Sequence, residues 1–300
     1  MQQIDKNMFQ GLNILEFTEK FSTDSKCWEY LAAQKWEKGY QCGNCRHGHY
    51  YNGKQAGTRI CSKCKYSESA TARTLFHKLK FPIRKAFHII YTMSCNKKGI
   101  SSYELSRQLS LRQKTCWLFQ RKVQEAMRSS GNNLLNGTLE VDEFFVGGPE
   151  TGKTGRGSEK KKLVVMALQV DAFGIRRCYA KVIPNASSDE LGTFLQEKIA
   201  PEATIKTDQW SGYTPSKADF ANLKQEKSDK GKRHPLMHRQ IMMFKAWLRG
   251  IHHHCSHLQR YIDEFCYRFN RLKYQDNMFH NLVRTMIGTG PLYFQKSWVV

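Results

Sequence analysis

The sequence predicts a mixed α/β fold in which a helical, cysteine-bearing first half precedes a strand-rich second half. Three observations lead there. Two CxxC pairs sit close together near the N-terminus, and apolar residues after them recur at helical spacing. From Gly137 the texture changes to short apolar runs bounded by Gly, Asp and Asn, which reads as strands and turns. The bulk composition permits such a fold. The chain has 300 residues, 40% hydrophobic and 12% aromatic, enough for two domains with a core and too apolar for global disorder.

Charge narrows the class of partner. The formal net charge is +22 and the isoelectric point is near 9.6, which favours a polyanion, nucleic acid first. Solubility alone needs a charge magnitude of only about 2–8. Leu163 to Leu168 is among the longest apolar runs, far short of a membrane span, and it reads as a buried strand. The start, Met1-Gln2-Gln3-Ile4-Asp5-Lys6, lacks the apolar core of a signal peptide. A cytoplasmic protein without a membrane partner is expected, with its ten cysteines as thiols or metal ligands.

Cys42-Gly43-Asn44-Cys45 and Cys61-Ser62-Lys63-Cys64 form two knuckles. Each turns tightly enough to aim two thiolates at one ion, and together they complete a tetrahedral Zn²⁺ site. Tyr50, Tyr51 and Gly53 between them suit a short hairpin. A redox pair would not need a matching second pair. His47 and His49 are left as surface residues, because four thiolates already close the site.

The next segment reads as three helices. Pro82 suits the first turn of a helix running to about Cys95, with Ile83, Phe87, Ile90 and Ser94 on one face. Ser101 and Glu104 look like a capping box for a second helix through about Leu109. A third runs from about Arg112 to Arg128, with Cys116, Phe119, Val123 and Met127 as its apolar stripe. Arg112, Lys114, Arg121 and Lys122 decorate the rest as candidate DNA contacts. A short helix, a turn and a longer basic helix is the helix-turn-helix pattern, whose last helix enters a major groove. The same pattern fits a plain bundle with a solvated basic face; the knuckles and the charge favour DNA.

In the second half, Gly137 to Val146, Leu163 to Val170 and Ile175 to Val182 read as strands, the last two joined by a hairpin turn at Asp171-Ala172-Phe173-Gly174. Gly147 to Lys162 is Gly- and Lys-rich, either a phosphate-touching loop or a solvated hairpin tip. Ser187 to Glu190 starts a helix with Leu191, Phe194, Leu195 and Ile199 on one face. A strand ending at Asp208 follows. Three antiparallel-type strands, a helix and a fourth strand is the order of a ribonuclease-H-like fold. Asp142 on the first strand and Asp208 at the end of the fourth would then converge, and paired carboxylates suit Mg²⁺ or Mn²⁺ acting on a phosphodiester. No obvious third acid stands on a later helix. His238 and Lys245, seven apart, share a helix face, where an imidazole can ligate an ion and a lysine can hold a phosphate. Glu226 is a rival ligand in a Lys-rich stretch that reads as loop. His252, His253 and His254 suggest a metal cluster by composition alone, and Asp263 and Glu264 sit in a packing helix. Trp210 shapes the site, stacks a base or packs the core.

These residues together resemble the ISXO2-like DDE transposases of bacterial insertion sequences, over nearly the whole chain. The resemblance runs from Cys27-Trp28-Glu29-Tyr30-Leu31 through both knuckles and Thr74-Leu75-Phe76-His77 to Phe81-Pro82. It continues through Val141-Asp142-Glu143-Phe144-Phe145-Val146-Gly147-Gly148, Lys206-Thr207-Asp208 and Gly212-Tyr213. It ends with Leu258 to Phe265 and Arg268-Phe269-Asn270-Arg271. It implies an N-terminal helix and zinc ribbon in residues 1–80, a helix-turn-helix-like DNA-binding segment in 81–132 and a ribonuclease-H-like catalytic domain in 133–300. It implies cleavage and joining of transposon DNA, with Asp142 and Asp208 as the first two catalytic acids. His238 followed by Lys245 fits the branch with histidine in the third position, at a cost in negative charge and so in Mg²⁺ affinity. The implied partners are double-stranded DNA, as terminal inverted repeats and target, and further copies of the chain as a dimer or larger assembly. A nucleoid-associated bacterial protein is the implied setting. A DNA-binding protein without catalysis is the alternative.

Overall fold

The computed structural model describes residues 12–96, 98–128, 133–148, 161–227, 229, 234–251, 257–271 and 278–293. The chain divides into two compact units, Met1–Met127 with Lys273–Val300, and Arg128–Leu272. The last helix therefore belongs to the first unit.

In the first unit, α1 (Ile14–Lys20) and α2 (Asp24–Lys35) are each started by a side-chain cap, Asn13 and Thr23. A three-stranded antiparallel sheet follows: β1 (Tyr50–Asn52), β2 (Thr58–Cys61) and β3 (Ser67–Ser69). Then come α3 (Ile83–Cys95), α4 (Ser102–Leu109) and α5 (Gln113–Met127). Ser101 caps α4 by accepting from the Glu104 N–H at 3.1 Å. Ser110 ends it in the left-handed region, φ 48°, and the chain turns directly into α5. The three expected helices are thus present, and α9 (Met278–Gly288) packs against α2, α3 and α5. Phe17, Phe21, Phe87 and Phe279 meet edge-on or tilted at the centre, with ring centroids 5.1–5.7 Å apart for the contacting pairs.

The second unit is a five-stranded mixed sheet between helices. Its elements are β4 (Thr138–Val146), β5 (Lys162–Asp171), β6 (Gly174–Ile183), α6 (Ser188–Lys198), β7 (Thr204–Thr207), β8 (Leu223–Gln225), α7 (Pro235–Ile251) and α8 (Leu258–Asn270). The spatial order is β6-β5-β4-β7-β8, antiparallel between β4, β5 and β6 and parallel between β4, β7 and β8. This is the ribonuclease-H-like order expected. β4 alternates cleanly: Leu139 and Val141 pack with Leu191, Phe194 and Leu195 of α6, while Phe144 packs with Met237, Ile241 and Phe244 of α7. β5 is buried on both faces from Leu163 to Leu168, as its unbroken apolar run requires. β8 was not expected. No described helix is long and apolar enough to cross a membrane.

Candidate functional site

β4 and β7 bring the two aspartates together. Their rungs run Thr138 with Thr204, Leu139 with Ile205 and Glu140 with Lys206. Two residues further along each strand the same spacing sets Asp142 beside Asp208, on strands about 4.8 Å apart. β7 stops at Thr207 while β4 runs on to Val146, so Asp208 lies in the turn that leaves the sheet beside Asp142. Asp142 accepts the Glu143 N–H at 2.8 Å, and Asp208 accepts the Trp210 N–H at 3.0 Å. Each contact uses one carboxylate oxygen and leaves the other for a ligand. Burial, then the charges of Glu143 and Asp208, push the Asp142 carboxyl up to about 7.

The turn after Asp208 is braced from several sides. The Trp210 indole N–H donates to the Ala186 carbonyl at 2.8 Å, and the Gln225 amide donates to the Trp210 carbonyl at 2.8 Å. Gly212 is required there, since a Cβ would lie 2.7 Å from the Trp210 indole nitrogen and 2.8 Å from the Ala186 carbonyl. Tyr213, fully buried, donates its hydroxyl to Glu143 at 2.9 Å. Burial first, then Glu143, holds that phenol well above its usual range. Tyr213 thus ties the turn carrying Asp208 to the strand carrying Asp142. The sequence signal is Glu143 next to Asp142 and Gly212-Tyr213 just after Asp208, but nothing local assigns a role to either.

α7 is positioned by a second acid that sequence reasoning missed. Glu140 lies on the same face of β4 as Asp142, is 9% exposed, and accepts the Met237 N–H at 3.2 Å in the first turn of α7. His234 Nδ1 stands 3.8 Å from its carboxylate. A carboxylate at a helix N-terminus satisfies an orphan N–H and meets the positive end of the dipole. At the other end of the crossing, Lys245 Nζ lies 5.3 Å from the centre of the Phe144 ring. Glu140 to Phe144 is about 13 Å of strand, and Met237 to Lys245 is about 12 Å of helix. α7 therefore runs along β4 with Asp142 beneath its middle. His238 is exposed and Lys245 half-buried on one flank of that helix.

Among the described residues, the four knuckle thiols are the single group of three or more His, Cys, Asp or Glu whose ligand atoms all lie within 4.8 Å of one another. Asp142, Asp208 and His238 do not reach that spacing as a set. Asp142 and Asp208 are half-buried, whereas His238 is exposed. The donor types still fit a hard divalent ion, and such an ion would relieve the charge crowding at Asp142. Glu226 stands closer to the acids than a loop residue would. It follows β8 directly and donates its N–H to the Thr207 carbonyl at 2.9 Å, level with Asp208.

The four knuckle thiols are spaced to hold one metal ion. Cys42 and Cys64 Sγ are 3.5 Å apart, Cys45 and Cys61 3.6 Å. A tetrahedral ion with bonds of about 2.3 Å sets such edges at about 3.8 Å. The residue after each knuckle, Arg46 (φ 60°) and Lys65 (φ 58°), is left-handed, and its N–H donates back to the Cys42 or Cys61 carbonyl. His47 and His49 stand outside this cluster.

The four candidate DNA contacts separate. Arg112 and Lys114 are exposed at the start of α5. Arg121 is 4% exposed, donates to Gln124 at 2.7 Å and stacks 4.7 Å from the Trp117 ring. Lys122 donates to the His77 carbonyl at 3.1 Å. These last two make contacts within the fold. Helices α3, α4 and α9 all pack on α5, so its buried face is wider than one stripe. Glu264 is also structural, buried and paired with Arg268 at 2.7 Å, and Asp263 accepts from Gln259 at 2.9 Å. His252, His253, His254 and residues 149–160 of the basic loop lie outside the described residues.

Residues 134–270 match the family model of the ISXO2-like transposase domain, within the second compact unit. Over those residues the chain is similar to the ISXO2-like transposase domain. No curated protein matches it. Similar solved structures include a pre-cleavage Mos1 transpososome (10% identity, 69% of this chain and 79% of that chain, TM-score 0.30). The Mos1 mariner paired end complex with Mn is similar at 12% identity, 70% and 80% coverage and TM-score 0.31. The Mos1 strand transfer complex is similar at 11%, 70% and 79%, and 0.29. Likeness that distant permits no residue-by-residue comparison. The matched residues include both aspartates, Glu143, Tyr213, and α7 with His238 and Lys245.

Proposed function

We propose that the protein is a DNA transposase that binds the ends of an insertion sequence and cuts and joins strands at the pair Asp142 and Asp208. The observation that supports this is the convergence of Asp142, in the middle of β4, with Asp208, just past the end of the neighbouring β7. A divalent ion bound there, Mg²⁺ or Mn²⁺, would polarise the scissile phosphate and acidify an attacking water. Asp142 and Asp208 would hold it through the carboxylate oxygens that the Glu143 and Trp210 N–H groups leave free, with His238 of α7 as a neutral third ligand. Lys245 neutralises a phosphate oxygen. Tyr213 and Glu140 keep the two strands and α7 in register. Water cuts the 3′ strand: its oxygen joins phosphorus, and the 3′ oxygen leaves with a proton. The freed 3′-hydroxyl then attacks target DNA, one phosphodiester bond forming as another breaks, without a covalent protein intermediate.

The four knuckle cysteines hold Zn²⁺ as a structural ion. Arg112 and Lys114 contact DNA from the start of α5, and the joining of two ends calls for at least two copies of the chain. The test is Mn²⁺-dependent nicking of DNA bearing the element's termini, wild type against Asp142→Asn and Asp208→Asn. Cutting by wild type alone supports the proposal. Equal cutting by all three removes the catalytic assignment. The imidazole in place of a third acid favours one rival, a DNA binder that no longer cuts; binding by all three proteins with no cutting by any would establish it.

A further inference from the structure

Three cations gather beside the end of β4 with no acid among them. Lys245 Nζ stands over the Phe144 ring. Arg249, one turn later, donates its Nε–H to the Lys245 carbonyl at 3.4 Å, which brings its guanidinium back along α7. Lys161 immediately precedes β5, whose first residue, Lys162, is the register partner of Val146 at the end of β4. Burial, then the charges of Arg249 and Lys161, lower the pKa of Lys245, so the three lie within electrostatic reach. Elsewhere in this unit basic residues meet acids: Arg176 with Asp171, Lys181 with Glu197, Arg268 with Glu264. Among the described residues, Lys161, Lys245 and Arg249 form no ion pair. Lys161 and Lys245 are half-buried and Arg249 is exposed; like charges drawn together beside an apolar ring are costly unless an anion joins them.

We propose that Lys161, Lys245 and Arg249 form a subsite for one phosphodiester group of the bound DNA strand, separate from the aspartate pair. This rests on the reading of the domain as a DNA transposase, and it adds Lys161 and Arg249 to Lys245. Arg249 supplies a planar fork for two phosphate oxygens; the lysines supply point charges. The Phe144 ring forms an apolar floor that limits hydration of the Lys245 ammonium. Phe144 lies on the same face of β4 as Asp142, two residues or about 6.6 Å away, on the order of one nucleotide step. The group held is therefore the phosphate next to the one that is cut.

The test uses the full chain and a duplex bearing the element's ends, with affinity measured by anisotropy between about 50 and 300 mM salt. Lys161→Ala with Arg249→Ala lowers the log–log salt slope by about 0.9, the value of one phosphate contact. The charge-keeping pair Lys161→Arg with Arg249→Lys leaves it unchanged. Mn²⁺ affinity of the DNA-free double alanine variant equals that of wild type. Asp142→Asn shows the converse, a lost Mn²⁺ affinity and an intact slope. A double alanine variant with the wild-type slope overturns the subsite, as does an equal loss in the charge-keeping pair. If wild type never cuts but the slope still falls in the alanine variant alone, the transposase reading fails and the anion subsite stands.

Discussion

Asp142→Asn should make the metal-free protein more stable at pH 8 while abolishing its use of metal. The folded chain holds the Asp142 carboxyl near 7 against an ordinary 3.8, so it keeps the proton more tightly than the unfolded chain does. Stability from this group is therefore greatest at low pH, is lost as pH rises from about 4 through about 7, and is flat above. A rise of about three units corresponds to about 4 kcal/mol. The side chain keeps partial solvent access, and screening reduces the working figure to about 2 kcal/mol. The amide introduced by the substitution would carry no charge and could still accept the Glu143 N–H. Thermal unfolding in chelator at pH 8 should then give a melting point about 4–8 °C above wild type, with the gap narrowing by pH 5. Added Mn²⁺ should raise the wild-type midpoint and leave the variant unmoved. A variant that melts at or below wild type at pH 8 would show that Asp142 is not crowded by its neighbours, and the reasoning about the site would fail.

Three further outcomes follow from the same contacts. Tyr213→Phe removes the hydroxyl that holds Glu143; a loss of about 1–3 kcal/mol in chemical denaturation is expected, and an unchanged midpoint would contradict the bracing role. Arg112→Ala and Lys114→Ala should each lower the salt slope of DNA binding by about 0.9, whereas Arg121→Ala should lower stability and leave the slope alone; the reverse pattern would restore Arg121 as a contact. Metal analysis should find close to one zinc per chain, lost on Cys61→Ser together with order in β1 to β3; a full-length protein equally stable with and without strong chelator would argue against the ribbon.

Much of this was legible because the decisive features are local. A CxxC knuckle sets its own ligand geometry, and Asp208 closing the run Thr204 to Thr207 announces a strand end. Pro82 and Ser101 likewise announce helix starts, and those helices formed where expected. What stayed hidden depended on partners far along the chain. Arg121 looked exposed from the stripe of α5 alone, but α9 arrives from position 278 to cover that helix further. Glu226 looked like loop because β8 is a three-residue strand with an exposed Lys224 at its centre, too short to show a period. Glu140 looked like any polar residue in a strand, and its role depends on α7, which begins at Pro235. The Tyr213 bond to Glu143 joins residues 70 positions apart and has no sequence periodicity to reveal it.

The most direct measurement is an anomalous-scattering map from crystals grown with Mn²⁺. The account predicts a peak between the Asp142 and Asp208 carboxylates with the His238 ring turned toward it. A map with Mn²⁺ absent from that position, or bound at other side chains while the two aspartates stay unliganded, would contradict it.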